Sequence, residues 1–287
     1  MITRKTLLGL FSCIAGVFSC QAQTPSPKDE AARVVEDASK IKVEQRRDEK
    51  LPTLWIIGDS TVRVNTTGQR GWGDELGAFF DLQKINVVNR AIGGRSSRTF
   101  ITDGRWDLIL GEMKSGDIVL MQFGHNDPGV LNEKVLDKNT RARGTIKGIG
   151  DETEEVDNIL TKKHEVVHTY GWYMRKYVQD TQAKGGIPIV CSLVPRKTWN
   201  EQGKISRADT NYGLWARQVA EQNKALFIDL NDLIAVHYEK LGKEKVDTLF
   251  ADPHTHTSVA GAQLNAACVV EGLKLLTPNP LAGVLKN

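Results

Sequence analysis

Four short polar turns, scattered over some two hundred positions, carry the residue types that acyl transfer requires. The first, Gly58-Asp59-Ser60-Thr61, places a hydroxyl immediately after the apolar run at 54–57. The second ends in Gly93-Gly94-Arg95-Ser96, the third is Gly124-His125-Asn126-Asp127, and the fourth is Asp252-Pro253-His254-Thr255-His256-Thr257-Ser258. Acyl transfer needs a nucleophile, a base to take its proton, and donors aimed at the oxygen that gains charge. Ser60 is the candidate nucleophile and His256 the candidate base, with a nearby carboxylate to hold its ring. The backbone amides of Ser60 and Gly94 and the side-chain amide of Asn126 are candidate oxyanion donors. Glycine suits position 94 because backbone can approach a reacting centre closely there. Each residue alone has a plain structural reading: Asp59 or Ser60 as a helix cap, Gly94 as a turn glycine, Asn126 as a loop cap, His256 as a surface residue. The chemistry rests on their meeting.

The elements between the turns provide for that meeting. Strand-like apolar runs at 54–57, 85–89, 118–123, 187–194 and 225–230 alternate with helix-like stretches near 72–82, 104–114, 165–184, 210–223 and 258–275, with one more helix after the fifth strand. Such alternation predicts an α/β fold, a five-stranded parallel sheet with helices on both faces. Open parallel sheets place their sites beyond the carboxyl ends of the strands, where the first three turns fall. The fourth precedes the last helix. No internal repeat or second core-sized block is present, so one domain is expected over 51–278, followed by a short tail at 279–287.

The four turns in this order resemble those of the SGNH (GDSL-like) hydrolases. More narrowly, Gly58-Asp59-Ser60-Thr61, Gly94-Arg95-Ser96, Gly124-His125-Asn126-Asp127 and His254-Thr255-His256-Thr257-Ser258 are similar to those of rhamnogalacturonan acetylesterases, over roughly 53–276. The resemblance implies a flavodoxin-like three-layer sandwich, metal-free ester hydrolysis without a cofactor, and acetylated pectic oligo- or polysaccharide as substrate. Ser60, Gly94, Asn126 and His256 carry over directly. One departure concerns the carboxylate. The family's last block is Asp-x-x-His, whereas here Pro253 stands three before His256 and Asp252 four before. Either Asp252 still reaches the ring, or another group orients it, or His256 relies on Ser60 alone. Arg95, Trp72 and His254 are candidates for contacting the sugar.

The amino terminus reads as a secretory signal over 1–22: Arg4 and Lys5, an apolar run at 7–18, then small and polar residues. Val17-Phe18-Ser19-Cys20 offers a lipoprotein cleavage box with Cys20 as the lipidated residue, and cleavage after Ala22 or Gln23 is the alternative. A secreted or periplasmic protein follows, with a linker at 23–50 and no membrane span. The 38 basic and 35 acidic residues nearly cancel, which excludes the strong basic bias of nucleic-acid binders. A monomer is expected. Cys191 and Cys268 lie in apolar surroundings and read as buried free thiols.

Three features stand outside this reading. His164-Glu165-Val166-Val167-His168 satisfies the zinc-protease pattern if it is helical, although the position of a third histidine is Met174. The long polar segment at 128–163 leaves directly from the Asn126 turn and is expected to wall a substrate groove. Arg90, Arg95, Arg98 and Arg105 cluster in sequence, and guanidinium groups pair well with carboxylates such as those of a uronic-acid polymer. The competing functions are a broader-specificity esterase or lipase on the same scaffold, a non-catalytic glycan-binding protein, and a metalloprotease. The nucleophile turn lacks the Gly-x-Ser-x-Gly elbow of α/β-hydrolase lipases.

Overall fold

A computed structural model describes residues 48–137 and 140–286. The expectations for the signal at 1–22, for Cys20 and for most of the linker lie outside the described residues. Strands β1 (Thr53–Gly58), β2 (Asn86–Asn89), β3 (Ile118–Gln122), β6 (Ile187–Cys191) and β7 (Leu226–Ile228) form one parallel sheet in the order β2-β1-β3-β6-β7. This is the expected doubly wound arrangement. A separate antiparallel hairpin pairs β4 (Thr153–Asp157) with β5 (His164–His168).

The sheet is buried on both faces, and side-chain alternation sorts each strand's residues between two cores. Leu54, Ile56, Ile118 and Leu120 face one core with Trp72, Leu76 and Phe80. Into it α5 (Leu230–Leu241) sends Ile234 and Tyr238, and α6 (Val259–Leu275) sends Val269 and Leu273. Trp55, Ile57, Val119 and Met121 face the other with Phe100 of α1 (Ser97–Thr102) and Trp106 of α2 (Arg105–Glu112). The same core takes Tyr177 of α3 (Tyr170–Ala183) and Val219 of α4 (Tyr212–Gln222). A strand buried on both sides must read as an unbroken apolar run, which is why Leu-Trp-Ile-Ile shows no polar alternation. Asp117, just before β3, fastens the start of β1 by accepting from the Thr53 amide and the Trp55 indole at 2.9 Å each.

Register decides where the turns emerge. Gly58 lies opposite Gln122, and Met121 lies opposite Val190. The central strands therefore end level, and the residues after β1, β3 and β6 leave the sheet along one edge.

Several elements differ from expectation for identifiable reasons. The stretch 72–82 forms two 3-10 turns, Trp72–Asp74 and Leu76–Phe79; glycines 73 and 77 weaken an α-helix there. The zinc-protease pattern lies on strand β5, not on a helix. Its β-branched Val166 and Val167 favour the strand, and Thr169 caps a helix that begins only at Tyr170. Residues 279–286 are no free tail: Leu281 is fully buried, and the Asp81 amide donates to the Val284 carbonyl at 2.8 Å. The linker also ends earlier, since Asn86 holds the Asp48 carbonyl at 2.7 Å. Cys191 and Cys268 are free and buried, as expected.

Because Leu281 completes a core, Leu281→Ala is expected to lower unfolding stability by about 2–5 kcal/mol in a denaturant titration. A loss below about 0.5 kcal/mol would mean that the segment only rests on the surface.

Candidate active site

Ser60 sits in the turn that closes β1, partly exposed at the sheet edge. The turn is tightly specified. Gly58 has no room for a side chain, since a Cβ there would stand 2.6 Å from the Gln122 carbonyl oxygen. The next residue, Asp59, turns its carboxylate inward and is fully buried. One oxygen accepts from the Thr61 amide at 2.8 Å and the Thr61 hydroxyl at 2.7 Å; the other faces His125 Nδ1 at 3.3 Å. Burial opposes ionisation of Asp59, but the adjacent His125 and the Thr61 donors outweigh it and hold the carboxyl below its ordinary range. The opposite ring nitrogen of His125 meets the Val194 carbonyl at 3.0 Å. The exits of β1, β3 and β6 are thereby tied together beneath Ser60.

The fourth turn arrives from above. His256 Nε2 lies 2.9 Å from Ser60 Oγ, and His256 Nδ1 lies 2.5 Å from Asp252 Oδ2. Asp252 does reach the ring despite Pro253. Its other oxygen accepts the amides of His254, Thr255 and His256 at 3.0, 2.6 and 3.0 Å. Proline, having no amide hydrogen, takes no donor out of this set. Burial works against the charged carboxyl, yet these amides and the imidazole prevail and hold Asp252 well below the usual carboxylate range. The loop is pinned by Thr257, whose carbonyl accepts from the Arg70 amide and whose hydroxyl donates to the Arg70 carbonyl, both at 2.8 Å. Two residues beyond Arg70, the Trp72 amide donates to the Thr61 carbonyl at 3.1 Å. The strap at 61–72 thus holds the histidine loop against the serine turn.

The remaining candidates assemble beside them. Gly94 adopts φ +80°, in the left-handed region, and its carbonyl accepts from Arg143 at 3.1 Å. The ideal Cβ position at Gly93 lies 3.5 Å from Ser60 Cβ, so this turn runs directly alongside the serine. Asn126 is buried and donates one side-chain N–H to the Arg95 carbonyl at 2.8 Å, which fixes the amide and leaves its second N–H. Among the described residues, the Ser60 and Gly94 amides donate to no protein group.

Two of the expected sugar contacts are corrected. Trp72 is fully buried; its indole donates to Gln122 at 2.9 Å, and Gln122 donates to Thr61 at 2.8 Å, so it props the serine turn from inside. Arg95 is only 7% exposed and holds Asp103 at 2.6 Å, contributing its carbonyl to Asn126 instead. His254 is exposed on the histidine loop. The other clustered arginines are also engaged internally. Arg90 pairs with Glu112, Arg105 lies 3.8 Å from Asp103, and the buried Arg98 binds Glu165 and the carbonyls of Leu131 and Gly144. The zinc-protease pattern fails on geometry. Residues four apart on a strand stand about 13 Å from each other, too far to share an ion. His164 pairs with Asp157 and His168 stacks on Trp172 at 3.7 Å. Sequence reasoning missed Asp59, His125 and Gln122 as supports. The signal available was a polar residue ending an apolar strand, or flanking a candidate in the same turn.

The residues of this site fall within a match to the GDSL-like Lipase/Acylhydrolase family that spans 56–264. The chain belongs to that family. It is a carboxylic ester hydrolase of the SGNH type. It is 31% identical over 214 residues to a rhamnogalacturonan acetylesterase of Emericella nidulans, covering 75% of this chain and 81% of the relative. A probable rhamnogalacturonan acetylesterase of Bacillus subtilis, YesY, is 31% identical over 230 residues, covering 78% and 93%. The solved structure of Bacillus subtilis YxiM superposes with a TM-score of 0.62 at 28% identity, covering 78% of this chain and 56% of that one. This chain therefore spans about half the length of YxiM.

Asp127, next to Asn126, generates a pH dependence. It is fully buried, accepts from the Ser97 amide and hydroxyl, and is pushed up to about 7, first by burial, with Asp59 adding repulsion and Ser97 opposing. An unfolded aspartate releases its proton near 3.8, so between these values the folded protein binds the extra proton and stability falls as pH rises. Each pH unit across that window removes about 1.4 kcal/mol. Thermal melts of Asp127→Asn are expected to lose less stability between pH 5 and 8 than the parent. Parallel curves for the two proteins would refute this role.

Proposed function

We propose that this chain is a secreted serine esterase that removes acetyl groups from a pectic polysaccharide of the rhamnogalacturonan type. The observation that carries the reading is the continuous hydrogen-bonded line Asp252–His256–Ser60, with 2.5 and 2.9 Å separations. The substrate class rests on the two acetylesterase relatives. Export rests on the signal-like residues 1–22, and among the described residues no helix is long and apolar enough to cross a membrane.

In the proposed reaction Ser60 Oγ attacks the acetyl carbonyl while His256 Nε2 takes its proton. Asp252, bonded to Nδ1, fixes the tautomer that leaves Nε2 free to accept and offsets the imidazolium charge that forms. The Ser60 and Gly94 amides and the second N–H of Asn126 receive the oxyanion. As the tetrahedral intermediate collapses, His256 gives the proton to the departing sugar oxygen, which leaves as the free hydroxyl. Water, activated by the same imidazole, hydrolyses the acetyl-serine and releases acetate. Against a non-catalytic glycan-binding role stands the Ser60–His256 hydrogen bond, which sugar binding alone does not require.

Acetate release should be measured on acetylated pectic polymer, acetylated xylan and p-nitrophenyl acetate. The pectic polymer is expected to be preferred, and a chelator is expected to leave the rate intact. Ser60→Ala is expected to lower kcat by on the order of 10⁴–10⁶, and Asp252→Asn by on the order of 10³–10⁴. Equal or better turnover of acetylated xylan would sink the pectic assignment. Activity surviving in Ser60→Ala would sink the serine mechanism.

A further inference from the structure

Beside the site lies a cavity of about 420 Å³ that the proposed reaction does not use and that shares Gly124, His125 and Pro128 with the Asn126 turn. It continues along the chain leaving β6 to the start of α4. Three cationic side chains line it, those of Lys147, Arg196 and Arg207, and no carboxylate does. In a chain whose acids and bases nearly balance, a wall of one sign is not the average surface.

The three cations are not equivalent. Arg207 is neutralised from outside the cavity by Asp232 and Glu239. Lys147 and Arg196 are exposed, and among the described residues neither side chain makes an ion pair or hydrogen bond. On the same wall Trp215 is partly exposed and its ring is braced edge-on by the buried Tyr212 at 4.7 Å. A braced indole beside two uncommitted cations matches a sugar ring that carries a carboxylate. A flat apolar face packs on the pyranose, while ammonium and guanidinium groups take the acid. The arginines near Gly94 could not do this, because their charge is already matched internally.

We propose that this cavity is a subsite for a uronate residue of the polysaccharide, one or more sugars away from the acetylated unit, with its carboxylate held by Lys147 and Arg196. The proposal rests on the pectic reading above and specifies how that substrate is told from neutral acetylated glycans. Lys147 belongs to the segment that returns beside the Asn126 turn, where the Thr145 amide donates to the Asp127 carbonyl at 3.0 Å. Arg196 follows the Val194 carbonyl that anchors His125. Both cations are therefore carried by backbone fastened to the site, so a chain bound there is held in register with Ser60.

Two measurements separate this proposal from the function it refines. First, binding of unacetylated tri-galacturonate to full-length Ser60→Ala is followed by calorimetry, with a neutral galacto-oligosaccharide and inorganic phosphate as controls. Adding Lys147→Ala and Arg196→Ala is expected to weaken tri-galacturonate binding about tenfold or more. Unchanged affinity, or phosphate binding as tightly as the trisaccharide, would overturn the subsite. Second, acetate release by the otherwise native protein is compared on acetylated pectic polymer before and after reduction of its carboxyl groups to alcohols. Reduction is expected to raise KM about tenfold in the parent and to have little effect in the Lys147→Ala/Arg196→Ala protein. Equal KM on both polymers in the parent would remove the subsite while leaving the esterase reading intact. Failure to deacetylate either polymer, with charge-dependent tri-galacturonate binding retained, would remove the esterase reading and leave the subsite.

Discussion

Asp59 carries a carboxylate removed from water next to Ser60, and its contacts join two of the turns at the sheet edge. The Thr61 amide and hydroxyl close the serine turn, while His125 reaches across from the third strand and on to the Val194 carbonyl beyond the sixth. A buried charge without partners is among the most costly things a fold can contain. The turns that supply these partners are therefore constrained by the same free energy that keeps the sheet edge closed. The Asp59–His125 pair links the turns after the first, third and sixth strands, while the bond from Asn126 to the Arg95 carbonyl fixes the amide separately.

A second carboxylate solves a different problem. Asp252 must orient an imidazole from a loop, where backbone is normally free to vary. It does so by gathering the three successive amides of His254, Thr255 and His256 on one oxygen and leaving the other for the ring. The loop's own polar groups are satisfied locally, and the Arg70–Thr257 bonds then set it against the serine turn. Asp127, by contrast, is fully buried, and burial, with repulsion from Asp59, outweighs the two Ser97 donors on one oxygen and holds its proton far above the ordinary value. Of the three aspartates in this site, Asp59 and Asp252 are held charged by the donors around them, while burial keeps Asp127 protonated well above the ordinary range.

Much of the scaffold was legible because it follows from local pattern. Unbroken apolar runs such as Leu54–Ile57 announce strands buried on both sides, and their alternation with amphipathic stretches announces a parallel sheet. The hairpin at 153–168 was not legible. His-Glu-Val-Val-His has the spacing of a helical metal motif, and its pairing with Thr153–Asp157, together with its two β-branched valines, settles it as a strand. The arginines near Gly94 were misread for a related reason. Residue type indicates that a guanidinium seeks an acid, but not whether the acid is Asp103, Glu112 or Glu165 of the same chain or one on a substrate. Trp72 was misplaced because an indole can stack on sugar or donate into a core, and sequence does not say which.

By itself the sequence determined the chemical inventory: a serine after a buried strand, a histidine before the last helix, an amide and a flexible glycine at two other strand ends. These follow from residue identity and short-range periodicity. The tertiary structure alone decided which carboxylate serves His256, which arginines remain available, and that Lys147 and Arg196 share one wall. Those outcomes depend on distances between residues remote in the chain, and such distances are set by sheet register and loop closure.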